Sequence, residues 1–316
     1  MKRKGNLYQN IISVDNLKRA VKNARKGKQH QYGVQQFDKN PDENILALHE
    51  LLKNKQFKTS TYKRRIIKDT KEREIFILPF YPDRIVHHAI MVPLEKMFVS
   101  TFTSDTYSCI KKRGIHAAAR KVRKALDNDK EATKYCLKID IKKFYPSVDH
   151  AILKQLVRKK IKDNDLLGTL DEIIDSADGL PIGNYLSQYL SNFYLTYFDH
   201  WLKEKMGVKR YFRYADDMVI FSNSKAYLHQ LLAEIKAYLK NELKLIVKGN
   251  YQIFPVAARG LDFLGYVFFH ECTFIRKRIK GNYFRMLSAN PNAQSIAAYN
   301  GWMVHANCIN LQRKAA

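Results

Sequence analysis

The stretch Tyr214-Ala215-Asp216-Asp217 constrains this chain more than any other. It lies between the apolar runs Tyr211-Phe212 and Met218-Val219-Ile220-Phe221, so the pattern predicts a β-hairpin with two adjacent carboxylates at its tip. Aspartate tolerates tight-turn backbone, and β-branched and aromatic flanks supply the strands. No lysine is near in sequence, and uncompensated carboxylates call for a hard cation. The tip therefore reads as half of a metal site.

A third carboxylate is available in Leu137-Lys138-Ile139-Asp140-Ile141-Lys142-Lys143-Phe144-Tyr145-Pro146. Leu137, Ile139 and Ile141 alternate, which predicts a buried strand with Asp140 near its end. Three carboxylates on two neighbouring strands can hold two Mg²⁺ ions about 3.5–4 Å apart, with Mn²⁺ a possible substitute. Such a clamp serves nucleotidyl transfer. An isolated Asp-Asp would more often be an ordinary turn, and it is the second strand that favours the metal reading.

With these two boxes on the page, the chain resembles a reverse transcriptase. Between them Gly179-Leu180-Pro181-Ile182-Gly183-Asn184-Tyr185-Leu186-Ser187-Gln188 resembles the family's template and nucleotide contact motif. After them Arg259-Gly260-Leu261-Asp262-Phe263-Leu264-Gly265-Tyr266 resembles the primer-grip hairpin, with Phe263, Leu264, Gly265 and Tyr266 as the grip. Upstream, Tyr81-Pro82-Asp83-Arg84-Ile85-Val86 and Arg113-Gly114-Ile115-His116 resemble fingers and early palm blocks of the group II intron branch. These blocks in order, from about Tyr62 onward, are far more specific than any one.

Within the family, Ile182 stands where group II intron and retroviral relatives usually carry Gln, and Gln188 where the intron branch has Pro. That box resembles the reverse transcriptases of diversity-generating retroelements, as does Lys248-Gly249-Asn250-Tyr251-Gln252-Ile253-Phe254-Pro255-Val256. The resemblance implies an enzyme that copies a template-repeat RNA from deoxynucleoside triphosphates, with errors opposite adenine. It also implies a cDNA/RNA duplex in the cleft and a basic accessory protein oligomer as partner. Retron, intron-type and antiphage reverse transcriptases remain alternatives, as does a catalytically silent RNA-binding protein.

The resemblance further implies the roles of single residues. Asp140, Asp216 and Asp217 are catalytic, and with the Ile141 carbonyl they hold the metals. Lys71 and Arg73 hold the incoming triphosphate, a contact suited to arginine's bidentate fork. Tyr145 excludes a ribose 2′-hydroxyl, and Ile182, Gly183, Ser187 and Gln188 line the nucleotide contact. Lys248 is either an acid toward pyrophosphate or a strand-end surface lysine.

Composition agrees with a nucleic-acid partner. The 316 residues carry 56 Lys plus Arg against 30 Asp plus Glu, a formal charge of +26. A polyanion relieves such self-repulsion. The basic residues are also segregated: Lys111 to Lys124 holds seven and no acid, and nothing after Glu271 is acidic. The four cysteines, Cys109, Cys136, Cys272 and Cys308, form no metal-binding pair and read as reduced. A basic start without an apolar run leads us to expect the cytoplasm of a bacterial or phage-encoded system.

The expected fold is α+β, a right-hand polymerase with fingers, an antiparallel palm sheet packed on helices, and a small helical thumb. We place fingers and first palm at 1–134, palm at 135–269 and thumb at 270–316. A hairpin is predicted about 69–72, helices over 115–126, 186–202 and 226–239, and strands over 244–247 and 251–254. The aromatic stripe Phe193, Tyr194, Tyr197, Phe198 and Trp201 has helical spacing, which favours core packing over base stacking.

Overall fold

The computed structural model describes residues 3–68, 72–289 and 291–308. The chain divides into two units built from alternating segments: residues 1–103, 143–199 and 241–245 in one, and 104–142, 200–240 and 246–316 in the other. Each is described by itself.

The first unit is mostly helical. Its central helix, Ile85–Thr101, buries Ile85, Val86, Ala89, Ile90, Leu94 and Phe98, residues spread over more than half of its circumference. A helix with so wide an apolar face belongs in a core. The helix Val14–Arg25 packs on it with Leu17, Ala20 and Val21, and the helix Tyr185–Tyr194 packs through Phe193, edge-on to Phe98. The only sheet among this unit's described residues is a two-stranded ribbon of β1 (Lys63–Lys68) and β2 (Glu72–Ile77). Every residue of β1 is exposed, consistent with its alternation being weak and its charge high.

The helix expected over 186–202 is broken. It runs Tyr185–Tyr194, pauses at Leu195, and resumes as Thr196–His200 and a wide turn Trp201–Lys205. Periodicity persists across the break, which is why the sequence reads as one helix. Phe193, Tyr194 and Phe198 are fully buried, so these three aromatic residues are core, as their spacing predicts.

The second unit carries a five-stranded sheet ordered β3-β5-β6-β4-β7: β3 (Thr106–Tyr107), β4 (Tyr135–Asp140), β5 (Tyr211–Tyr214), β6 (Asp217–Ser222) and β7 (Gln252–Pro255). All neighbours are antiparallel except β3 and β5. Cys136, Phe212, Val219, Phe221 and Phe254 line one face, against which the helix Ile115–Asn128 sets Ala118, Ala119, Val122 and Leu126. A second sheet, ordered β10-β9-β8, joins this core: β8 (Leu261–Phe263), β9 (Tyr266–Phe268) and β10 (Thr273–Ile275). Burying this set of large apolar side chains stabilises the unit by roughly 1.5–3 kcal/mol each before entropy is subtracted.

Two expectations need correction here. Residues 244–247 form no strand: a single bridge, Ile141 with Val247, is flanked by hydrogen bonds from Lys142 N to Ile246 O and from Lys248 N to Asp140 O, both 2.8 Å. The segment lies beside β4, but too briefly for a ladder. The tail is also not helical from its start, because β10 precedes the helices Lys277–Ser288 and Ala293–Met303. Among the described residues no helix is long and apolar enough to cross a membrane.

Candidate active site

Register brings the three predicted carboxylates together within the second unit. β5 and β6 pair Tyr214 with Asp217, so Ala215 and Asp216 are the two turn residues. Ala215 takes a left-handed φ of +54°, which costs a non-glycine residue energy and marks a tight, overdetermined turn. Arg213, fully buried, donates from Nη1 to the Ala215 carbonyl at 3.0 Å and fixes that turn from beneath. Across the sheet Asp140 pairs directly with Asp217.

Proximity has an electrostatic signature. The Asp216 carboxyl is raised above its ordinary range, first by burial and then by the Asp140 charge, with which it also shares a side-chain hydrogen bond. Asp217 is pushed up to about 7, again mainly by burial, with Lys138 opposing and Asp140 and Asp216 adding to the rise. Burial disfavours the charged form of a carboxyl, and a neighbouring like charge disfavours it further.

Two lysines stand closer than the sequence suggests. Lys248 Nζ donates to Asp140 Oδ1 at 2.6 Å, and Lys138 Nζ lies 3.9 Å from Asp217 Oδ2. The expectation of an acidic tip with no lysine to neutralise it is therefore wrong. Lys248 is neither a free strand-end lysine nor remote from the site. Lys138 was legible in principle, because residues i and i+2 of a strand share a face and Asp140 follows two places on. Lys248 was not, since its approach depends on the irregular crossing of 246–248 beside β4.

The residues nevertheless fit a divalent ion. Asp217 Oδ1 is buried without a hydrogen-bond partner, although the side chain as a whole is 32 % exposed. Orphaned buried acceptors are rare and costly. In the Ile141–Val247 bridge the hydrogen bonds belong to the flanking residues, so the Ile141 carbonyl turns to the other side of the strand, that of β6. Among the described residues no three acidic, histidine or cysteine side chains are arranged as they stand to hold a metal ion, and Lys248 occupies one oxygen of Asp140.

This arrangement makes a linkage prediction. Asp217 ionises only near pH 7 in the folded chain and near the ordinary carboxylate value when unfolded. Stability is thus full below about pH 4, falls as pH rises toward 7, and stays low above. Discounted for the partial exposure, the cost is on the order of 1–2 kcal/mol. In metal-free protein at pH 8, Asp217→Asn should raise Tm by about 2–5 °C, and the gain should shrink to a small part of that at pH 4.5. Added Mg²⁺ should raise Tm of the wild type more than that of the variant. An equal shift at both pH values would show that burial and neighbouring charge do not raise the Asp217 carboxyl.

The nucleotide-contact candidates gather in the first unit. Phe76 N, in β2, donates to Ile182 O at 2.8 Å, and a Cβ on Gly183 (φ +115°) would lie 2.8 Å from Phe76 O. Glycine is required there by both space and conformation. The loop thus lies against β2, where Arg73 is exposed on the face it shares with Ile75. Ile182 is half-buried and Gly183 exposed, while Ser187 is buried and Gln188 half-buried on the helix Tyr185–Tyr194. Tyr145 is half-buried beside the same helix, its hydroxyl 3.2 Å from Ser191 Oγ. Lys71 lies outside the described residues.

The proposed grip is a two-residue hairpin joining β8 and β9, with Leu264 and Gly265 both left-handed at φ +54° and +86°. Phe263 and Tyr266 are fully buried, and Tyr266 donates to Trp302 O at 3.1 Å. Lys138 also donates to Asp262 O, which ties this hairpin to the strand that carries Asp140.

Comparison with known proteins agrees with this geometry. A model of the reverse transcriptase (RNA-dependent DNA polymerase) family matches residues 49–268. Protein YkfC of Escherichia coli (strain K12) is 26% identical over 262 residues, covering 69% of this chain and 67% of YkfC. The group II intron-encoded protein LtrA of Lactococcus lactis subsp. cremoris is 20% identical over 300 residues, 71% of this chain and 49% of LtrA. Retron Ec73 reverse transcriptase of Escherichia coli is 30% identical over 148 residues, covering 42% of this chain and 45% of its own. The chain therefore spans about half the length of LtrA and of the retron enzyme. Apo telomerase from Candida tropicalis superposes with a TM-score of 0.51 at 12% identity, over 67% of this chain and 48% of that one. At that identity the likeness is one of fold, and it agrees with the mixed helix and antiparallel-sheet architecture. With the family match spanning most of its length, including all three carboxylates, this chain belongs to the reverse transcriptase family.

Proposed function

We propose that the chain is an RNA-directed DNA polymerase that adds deoxynucleotides to a primer 3′-hydroxyl, and that it serves a diversity-generating retroelement. The observation that carries the polymerase reading is the convergence of Asp140, Asp216 and Asp217 at one end of the second unit's sheet. The family's chemistry uses divalent ions. In this reading Asp140, Asp216 and Asp217 with the Ile141 carbonyl hold them. Bound there, Mg²⁺ would supply charge neutralisation for attack on the α-phosphate and departure of pyrophosphate.

The chain's own residues then have separate tasks. Arg73 and Lys71 bind the triphosphate, and Gly183 admits it close to backbone. The Tyr145 ring sets the permitted sugar. Lys248 holds Asp140 in place in the absence of metal, as its 2.6 Å contact suggests, and Lys138 does the same for Asp217. Phe263, Leu264, Gly265 and Tyr266 hold the primer, and the basic helix Lys277–Ser288 follows its phosphates. Template RNA and a basic accessory protein oligomer are the macromolecular partners.

The retroelement reading rests on Ile182. Glutamine there could hydrogen-bond around template or nucleotide, whereas isoleucine checks the nascent pair by shape alone. On an RNA template the wild-type enzyme should misincorporate opposite adenine, and Ile182→Gln should lower that error several-fold without a matching change opposite other bases. An unchanged spectrum would leave isoleucine without a role in fidelity. Group II intron or retron-type synthesis is the second reading, favoured by the relatives above. Accurate copying of adenine by the wild type would select it.

A further inference from the structure

We propose that the second unit carries an RNA-binding groove outside the catalytic centre, and that it holds the backbone of an RNA segment that is not being copied. The groove runs between the helix Ile115–Asn128 and the turn that follows the helix Ala293–Met303, and has a volume of about 410 Å³. Arg120 and Lys124, four residues apart on the helix and both exposed, line one wall. His305 lines the other.

The charge of this wall is not answered within the protein. Among the described residues the side chain of neither Arg120 nor Lys124 has an ion-pair or hydrogen-bond partner. Arg120 stands instead beside His305 and His116, whose rings lie 4.7 Å apart; burial lowers the pKa of both, and the Arg120 charge lowers it further. Arg123 has a different task. It donates to the carbonyls of Phe269 and His270 at 2.6 Å each and to Asp127 at 2.9 Å, and so holds the groove in shape.

The groove leads away from the metal site. β3 ends at Tyr107, paired with Tyr214 beside the catalytic turn, and the helix begins shortly afterwards, at Ile115. At the other end of the helix Asp129 accepts from Arg210, the residue before β5, at 2.7 Å. Asp127 and Asn128 therefore lie toward the far end of the sheet, roughly 17 Å from Asp217 at the rise of a strand.

A phosphate backbone suits such a surface. An arginine fork and an ammonium one turn apart match neighbouring phosphates, and a polyanion relieves the repulsion between them. Farther along, Asp127 and Asn128 are exposed and present oxygens. A ribose 2′-hydroxyl can donate to these, whereas DNA has no such group and an acidic protein segment would be repelled by Asp127.

The test titrates the full chain with an RNA hairpin, a DNA hairpin of the same sequence and polyglutamate, for wild type, Arg120→Ala/Lys124→Ala and a control, Arg19→Ala/Lys22→Ala. Arg19 and Lys22 are likewise exposed, on the helix Val14–Arg25, so the control loses the same formal charge. At about 0.15 M salt the groove variant should bind the RNA hairpin about ten-fold more weakly or worse. Its slope of log K against log salt should be shallower by about 1.4–1.8, the release expected of two phosphate contacts. The hairpin should also protect Lys124 of the wild type from acetylation. Extension rate at saturating template and primer, and Tm, should stay at wild-type values. An equal loss in the control, an unprotected Lys124, or a slower extension at saturation would each overturn the groove as a separate RNA site. So would an equal loss on DNA, or polyglutamate that binds the wild type and not the groove variant.

Discussion

Asp216→Ala should abolish cDNA synthesis while leaving a folded protein that still binds RNA. The residue occupies the second position of a two-residue turn, and the Ala215 conformation, the Tyr214–Asp217 pair and the buried Arg213 all fix that turn without its carboxylate. Removal should even relieve the burial cost and the Asp140 repulsion that together raise its pKa. The loss falls on the reaction instead. In phosphoryl transfer nearly all acceleration comes from positioning and charge neutralisation, so deleting one carboxylate should lower the extension rate by about 10³-fold or more. Single-turnover primer extension measures this, with RNA binding and Tm as controls. Extension within ten-fold of wild type would remove Asp216 from the machinery.

Tyr145→Ala should admit ribonucleotides. The ring stands five residues beyond Asp140 in sequence and keeps a half-buried position against Ser191 and Phe144. Forcing an extra oxygen against a fixed ring costs about 1–3 kcal/mol, typical of overpacking, so its loss should relax sugar discrimination by roughly 10–100-fold. Incorporation of a ribonucleotide and its deoxy counterpart opposite one template base gives the ratio. A ratio unchanged from wild type would return Tyr145 to the ranks of packing residues.

How much of this was legible in the sequence varied with the kind of interaction. The hairpin around Ala215 and Asp216, the alternation Leu137-Ile139-Ile141 and the helical face of Ala119, Val122 and Leu126 are local periodicities, and the structure has all three. Local periodicity cannot see a break that preserves phase, which is how Leu195 escaped notice. Nor could it place Lys248 on Asp140 or Ser191 on Tyr145. Those contacts span 108 and 46 residues and follow from how segments cross. The acidic tip is visible in the sequence, but the two ammonium groups beside its carboxylates are not. Charge balance at a site is set in space, whereas a sequence shows only neighbours.

The strand order has a consequence for synthesis of the chain. β4, which carries Asp140, is the second strand of its sheet to leave the ribosome, yet its two neighbours, β6 and β7, emerge about 80 and 115 residues later. Until Pro255 has been made, one whole flank of β4 offers unpaired amides and carbonyls beside Cys136, Leu137 and Ile139. Nascent chains stalled short of that point should be the form most prone to association with one another and most dependent on chaperones.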